Sequence, residues 1–170
     1  MHDGFKMVAR IPYHITVPKF YAIASEVATM CFLRSSGLPI PEVYGYSPLP
    51  NNAAETEYIF MEFIEGRVLS ELLPELELVQ IASALLQLVQ LEARMMSISF
   101  PAGGSLYYTK DLEELGGRTR TIPLNDEQFC VGPDARLHMW YGRRSQLNVE
   151  RGPCTVTYYA NNSGTDHYNR

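Results

Sequence analysis

The sequence predicts an α+β protein in which a three-stranded antiparallel sheet is flanked by one helix. Three observations support this prediction: an alternating apolar pattern at residues 5–11, a helical apolar pattern at residues 18–36, and two short segments rich in Tyr, Ile and Phe at residues 42–47 and 57–63. A longer helix and a region of loops follow. Strands and helices that are segregated in this way are typical of the α+β class.

The first strand and the first helix have clear sequence signals. Apolar side chains alternate with other side chains across residues 5–11, which is the period of a strand. Pro18 suits the first turn of the helix that follows, and Gly37 suits the position just after its last turn. The helix therefore spans residues 18–36 and presents one apolar face.

The second and third strands, residues 42–47 and 57–63, are joined by residues 48–56, whose Pro and Asn residues predict the loop of an antiparallel hairpin. A long helix is predicted at residues 74–97 because its apolar positions follow a helical spacing. Beyond residue 100 the periodicity fades, and the abundance of Gly, Pro and Tyr predicts loops.

Composition excludes several classes of function. The chain has 170 residues, a net charge of −5 and no run of Lys or Arg, so we expect no nucleic-acid partner. The apolar region at residues 76–91 is interrupted by Glu and Gln, and we expect no membrane span. The cysteines do not have the spacing of a zinc site or a disulfide framework; they are Cys31, Cys130 and Cys154. Unpaired cysteines of this kind are typical of proteins in a reducing compartment. We therefore expect an intracellular protein, with the cytoplasm and mitochondria both open.

Arg10 and Glu26 are the candidate functional pair that the residues themselves suggest. A cation on an alternating strand, followed by a helix with an acidic residue on its flank, is one way to position an ion pair. The plainer interpretation is that Arg10 lies on a solvated strand face and Glu26 at an exposed helix position. Taken alone, the two residues favour this plainer interpretation.

Several longer stretches add a family resemblance. The N-terminal lobe of the aminoglycoside phosphotransferase family, which has the protein-kinase-like fold, resembles four stretches of this chain in order: VARIP (8–12), ASEVATM (24–30), GLPIPEV (37–43) and EYIFMEFIEG (57–66). A fungal branch of that family, the altered inheritance of mitochondria proteins, resembles two more: FPAGGSLYY (100–108) and FCVGPDARLHMWYGRRSQLNVERGP (129–153).

The resemblance implies binding of ATP and Mg²⁺ and assigns roles to individual residues. Arg10 stands where these kinases have the strand lysine that contacts the α- and β-phosphates, and Glu26 stands where a helix glutamate pairs with it. The family's Lys is replaced by Arg here. The resemblance further implies one residue lining the adenine pocket and three hinge residues whose backbone groups would bind adenine: Val8, Met61, Glu62 and Phe63. Ordinary packing is the alternative for Met61 and Phe63.

No residue is assigned a catalytic or metal-binding role. Phosphoryl transfer in this fold needs a catalytic-loop Asp followed by an Asn at the fifth position, and a second Asp that holds Mg²⁺. No Asp of this chain has Asn at that spacing, and Asp111 imitates the second motif without a catalytic loop before it. We therefore expect a truncated relative of the family that transfers no phosphoryl group on its own.

The resemblance also divides the chain. Residues 1–66 correspond to an incomplete N-terminal lobe, residues 67–153 to the beginning of a C-terminal lobe, and residues 154–170 to an unrelated, disordered tail. Two strands that precede residue 5 in the family are missing, so we expect an open sheet edge. Most of the C-terminal lobe on which the long helix would pack is missing as well, so we expect apolar area of that helix to be exposed. The alternative function is therefore a non-catalytic binding module that docks a protein partner, or a second copy of itself, through these surfaces. A product without function that is degraded is a third interpretation.

Overall fold

The computed structural model describes residues 4–13, 15–116 and 119–155, and it has the α+β class that the sequence predicts. The strands of its first sheet are β1 (Met7–Arg10), β2 (Val43–Ser47) and β3 (Tyr58–Glu62). They are antiparallel and lie in the order β1-β3-β2. The predicted three-stranded antiparallel sheet and its hairpin are therefore confirmed.

Strand β1 lies at the edge of this sheet. The register places Val8 opposite Met61 and Arg10 opposite Ile59 on the central strand β3. Within the described residues, β1 pairs with β3 on one side and with no strand on the other. Among the described residues β1 is therefore an edge strand, as expected, and its outer backbone N–H and C=O groups could pair with another strand.

Helix α1 (Lys19–Ser35) follows β1 and ends as the sequence predicts. Gly37 has a φ of +81°, a conformation that glycine adopts without strain. Its N–H donates to the carbonyl oxygen of Arg34 at 2.9 Å, and the N–H of Leu38 donates to the carbonyl oxygen of Leu33 at 3.1 Å. These two bonds satisfy carbonyl groups that the end of the helix would otherwise leave unpaired.

The long helix begins later than predicted. Two helices and a 3-10 turn follow the first sheet: α2 (Leu69–Leu72), the turn Leu73–Glu75 and α3 (Leu78–Met96). Pro74 lies in the 3-10 turn and not in the long helix. The start of α3 is set by a capping box, in which Glu77 and Gln80 each accept a hydrogen bond from the other's backbone N–H.

Helix α3 is apolar but uncovered. None of its side chains is buried, and Leu85 is 55% exposed. Together with α2 and the 3-10 turn, α3 borders an apolar groove of about 340 Å³. The expected exposure of apolar area on the long helix is confirmed.

The region beyond residue 100, which was predicted as loops, contains regular structure. Among its described residues, five short strands form two antiparallel sheets: β4 (Ala102–Gly103), β5 (Ser105–Tyr108), β6 (Ile122–Pro123), β7 (Phe129–Gly132) and β8 (Cys154–Thr155). One sheet pairs β4 with β8, and the other has the order β5-β7-β6. The first two residues of the expected tail thus lie in a strand, and residues 156–170 lie outside the described residues.

The core is organised around α1, which packs against both three-stranded sheets. Ile23 and Val27 contact Ile59 of the first sheet. Ala24 and Ala28 face the second sheet and the short helix α4 (Thr109–Glu114), and both alanines are fully buried. Small side chains on that face let the helix approach the second sheet closely. The single predicted flanking helix is therefore covered on both sides.

Candidate functional site

A cavity of about 540 Å³ opens between β1, the loop that follows it and the first turns of α1. Its size falls within the range of small-molecule sites, which is about 300–1,000 Å³. Four of the residues that the sequence proposes line it: Val8, Arg10, Glu26 and Met61. The remaining lining residues are Ala9, Ile11, Pro12, Tyr13, Thr16, Ala22 and Ile23.

Arg10 and Glu26 form an ion pair at the rim of this cavity. Arg10 is the last residue of β1, and its Nη1 donates a hydrogen bond to Oε1 of Glu26 on α1. The Arg10 side chain is 58% exposed, whereas that of Glu26 is only 26% exposed. The sheet and the helix thus bring the two groups together, and Glu26 occupies one of the five donors of a guanidinium whose side chain stays more than half exposed.

The electrostatics of Glu26 follow from this partial burial. Burial raises the pKa of the Glu26 carboxyl above its ordinary value, and the charge and hydrogen bond of Arg10 lower it in part. The carboxylate therefore lies in a less polar environment than the guanidinium that it contacts.

Val8 and Met61 supply the apolar wall of the cavity. They are register partners on adjacent strands, and Met61 also packs against the buried cluster that joins β3 to α1. The side chain of Val8 lies on the same strand face as that of Arg10, because successive side chains alternate between the two faces. An apolar surface and a cation therefore lie side by side.

Glu62 and Phe63 lie outside the cavity. The Glu62 carboxylate accepts a hydrogen bond from the N–H of Glu42 at 3.0 Å and lies 3.7 Å from Arg34. The backbone N–H of Glu62 donates to the carbonyl oxygen of Glu42 at 2.8 Å, so this donor is already used within the fold. Phe63 packs beside Lys6, whose Nζ is 5.6 Å from the ring centroid.

The residues at the cavity do not fit a bound Mg²⁺, which the family resemblance implies. Glu26 is the one carboxylate among the lining residues, and it is bonded to Arg10. Mg²⁺ is usually bound through carboxylates that are free to coordinate it. Throughout the described parts of the chain, no cluster of three or more His, Cys, Asp or Glu side chains could hold a metal ion.

Asp111, which the sequence analysis rejects as a metal ligand, lies on α4 and is buried. Both of its carboxylate oxygens lie 3.0 Å from the hydroxyl of Tyr46, which donates to them from β2. Burial raises the pKa of Asp111, and the bond from Tyr46 and the nearby charge of Lys110 lower it in part. This partly buried bond joins the first sheet to α4, and neither residue lines the cavity.

Sequence reasoning missed the part of the site that comes from a loop. Tyr13 and Thr16 follow β1 and line the cavity, and the N–H of Thr16 donates to the carbonyl oxygen of Tyr13 at 2.9 Å. A short turn has no periodic pattern, so no sequence signal places these side chains beside Arg10.

Across the described residues, no helix is both long and apolar enough to cross a bilayer.

Comparison with known proteins finds fungal relatives. The chain is 41% identical over 156 residues to a subtelomeric hrmA-associated cluster protein of Aspergillus fumigatus, covering 91% of this chain and 30% of that protein. It is 36% identical over 146 residues to the altered inheritance of mitochondria protein 9 of Komagataella phaffii, covering 75% of this chain and 23% of the relative. The chain is also 30% identical over 166 residues to the protein of the same name in Zygosaccharomyces rouxii. This match covers 84% of this chain and 26% of that relative.

The chain therefore spans less than a third of the length of these curated relatives. No protein-family model matches it, and no solved structure matches it. The wider kinship with aminoglycoside phosphotransferases and the kinase-like fold stay predictions from the sequence. What the relatives confirm is the resemblance of this chain to the fungal altered inheritance of mitochondria proteins.

Proposed function

We propose that this chain binds an adenine nucleotide in the cavity between β1 and α1, as the nucleotide-side part of an aminoglycoside phosphotransferase-like protein. The observation that supports this most directly is the convergence of Val8, Arg10, Glu26 and Met61 on one cavity. These are four of the residues that the family resemblance assigns to the nucleotide, and they come from three separate elements.

The chemistry of the cavity suits such a ligand. Val8 and Met61 offer an apolar surface on which a purine can rest, and Arg10 offers a cation beside it. A guanidinium has five donors, so Arg10 can bind Glu26 and a phosphate oxygen at once. Arginine recognises phosphate with paired, charge-assisted hydrogen bonds. The base and the phosphates would therefore contact different parts of the same strand face.

We expect binding without phosphoryl transfer. In this chemistry, metal ions neutralise the charge on the phosphates and an Asp orients the acceptor hydroxyl. The cavity offers Glu26 alone, and that carboxylate is engaged by Arg10. An assay with Mg²⁺, ATP and a panel of aminoglycosides should therefore detect no product. Turnover that disappears in Arg10→Ala would contradict this expectation.

Calorimetric titration with ATP tests the binding proposal. Arg10→Ala should weaken ATP binding by at least about tenfold, because a charge-assisted hydrogen bond is lost. Binding of adenosine, which has no phosphate, should change little. Lys6→Ala is the matched control: Lys6 is also a cation near β1, but it pairs with Glu65 at 2.6 Å and does not line the cavity. Equal loss in both variants, or no binding of ATP by the native chain, would contradict the proposal.

A second candidate function is protein docking through the uncovered face of α3, whose apolar side chains are exposed. The occupant that we propose is the polypeptide that the longer relatives have outside the matched region, because the chain spans only 30% of the Aspergillus fumigatus relative. Co-expression with that remaining polypeptide should yield a complex that survives purification. Leu85→Asp should abolish the complex, and Gln90→Asp, an exposed polar position on α3, should preserve it. Self-association without complex formation would contradict this occupant.

The location of the chain is also a proposal. The names of the Komagataella phaffii and Zygosaccharomyces rouxii relatives include the word mitochondrial. We propose that this chain acts inside the fungal cell, with mitochondria favoured over the cytoplasm. Fractionation of cells that express the chain with an epitope tag tests this, and recovery in the cytosolic fraction alone would contradict the mitochondrial assignment.

A further inference from the structure

The stretch at residues 129–153 is not used by the proposed nucleotide site, yet part of it packs directly on α1. The ring of Trp140 stacks on that of Tyr21, with centroids 4.9 Å apart and planes 30° from parallel. Tyr107 of β5 meets Tyr21 edge-on at 6.0 Å. Tyr21 is in the first turn of α1. Two aromatic contacts from distant parts of the chain therefore hold the beginning of this helix.

Trp140 is itself firmly held. Its Nε1 donates to the carbonyl oxygen of Asp134 at 2.6 Å, and the guanidinium of Arg151 lies 4.2 Å from its ring centroid. Arg151 also donates hydrogen bonds of 2.7–3.4 Å to four backbone carbonyl oxygens, those of Met139, Arg144, Leu147 and Val149. Trp140 is thus fixed by a hydrogen bond to the backbone and by a cation over its ring, in addition to its stack on Tyr21.

This stack lies next to the cavity along α1. Ala22 and Ile23, which directly follow Tyr21, line the cavity, and Glu26 lies about one and a half turns further on. A helix moves as a rigid unit because its backbone hydrogen bonds link successive turns. A shift or rotation at Tyr21 therefore displaces the carboxylate of Glu26 relative to Arg10.

We propose that Trp140 is a positioning residue. Its stack on Tyr21 fixes the position of α1, so that Glu26 can hold Arg10 at the cavity. Ligand binding at Arg10 in turn changes the environment of Trp140. This inference rests on the proposed nucleotide function for its ligand. It assigns a role to Asp134, Arg151 and the backbone around them as the support of the tryptophan.

The ATP affinities of a set of variants distinguish a positioning role for Trp140 from a purely structural one. Trp140→Phe keeps an aromatic ring for Tyr21, whereas Trp140→Leu keeps apolar bulk without a ring. Tyr141→Leu is the matched control, because Tyr141 is the neighbouring aromatic residue and is 70% exposed. If the stack positions α1, ATP binding should weaken at least about fivefold in Trp140→Leu, and should stay within about twofold of the native chain in Trp140→Phe and Tyr141→Leu.

Trp140 also provides its own spectroscopic signal, because it is the single tryptophan of the chain. ATP should change its emission with the same midpoint that calorimetry gives, and Arg10→Ala should show no such change at matched ATP concentrations. Circular dichroism establishes that each variant is folded. Native binding that is retained in Trp140→Leu, or an emission that saturating ATP leaves unchanged, would overturn the positioning role while the nucleotide function stands.

A measurement without nucleotide keeps the two proposals separable. If the native chain binds no ATP, the proposed function fails, and titration of the Glu26 carboxyl by carbon-13 NMR still tests the positioning role. Loss of the stack should move the pKa of Glu26 upward in Trp140→Leu, as it should in Arg10→Ala, because both remove the favourable contact with the guanidinium. An unchanged pKa of Glu26 in Trp140→Leu would overturn the inference.

Discussion

Ile59 occupies the central strand β3, opposite Arg10 in the register and in contact with Ile23 and Val27 of α1. Its side chain is fully buried, at 0% exposure. Ile59→Ala removes three carbon atoms, which corresponds to about 2.4 kcal/mol of transfer free energy. The cavity left behind adds to this loss, and buried Ile→Ala changes cost about 2–5 kcal/mol in total. We expect a decrease of about 3 kcal/mol in the free energy of unfolding.

Urea unfolding followed by the fluorescence of Trp140 measures this decrease. For a chain of this size, 3 kcal/mol corresponds to a fall in Tm of about 6–12 °C. Ile64→Ala is the matched control, because it removes the same atoms from a side chain that is 59% exposed just beyond β3. It should cost less than about 0.5 kcal/mol. If the two variants lose equal stability, the packing of β3 on α1 does not hold the site together as argued.

Three further variants probe other parts of the fold. Tyr46→Phe leaves buried Asp111 without its donor at 3.0 Å, so unfolding free energy should fall by about 1–3 kcal/mol and the pKa of Asp111 should rise, as NMR titration would detect. Gly132→Ala would place a Cβ 2.8 Å from a leucine carbon of α4 and should cost about 1–3 kcal/mol by urea unfolding, whereas Gly66→Ala, with nothing within 4 Å, should be nearly neutral. Burial raises the pKa of Glu26 above its ordinary 4.5, so ionisation of this carboxyl costs stability as pH rises through the raised value. Glu26→Gln should therefore gain stability relative to the native chain as pH rises above 4.5, and a relative loss would contradict this.

Much of the first sheet and of α1 is predictable because neighbouring residues in the sequence determine these elements. Alternation at residues 5–11 predicts β1, and Gly37 predicts the end of α1. The start of α3 is less local: Pro74 signals a helix, yet the capping box at Glu77 sets the first residue. The strands β5 and β7 escape prediction because each has four residues, with no exposed position to create alternation.

The candidate site likewise depends partly on local sequence and partly on tertiary packing. Arg10 and Glu26 are candidates for an ion pair because one lies on a strand and the other on the next helix, but only the family resemblance favours their pairing over two solvated positions. Whether they meet depends on how α1 packs on β3, and that packing also brings Met61 into the cavity while leaving Glu62 outside. The distance between residues far apart in the chain is set by the core, and no local pattern encodes it.

The sequence by itself thus determined the α+β class, the antiparallel hairpin, the boundaries of α1 and the two charges at the site. Only the tertiary structure decided which surfaces meet: β1 at the sheet edge, α1 between two sheets, and Trp140 stacked on Tyr21. The periodic pattern of the sequence indicates which face of a helix or strand is apolar and therefore buried. It does not indicate which distant segment covers that face, because any apolar surface of matching shape would give the same hydrophobic stabilisation.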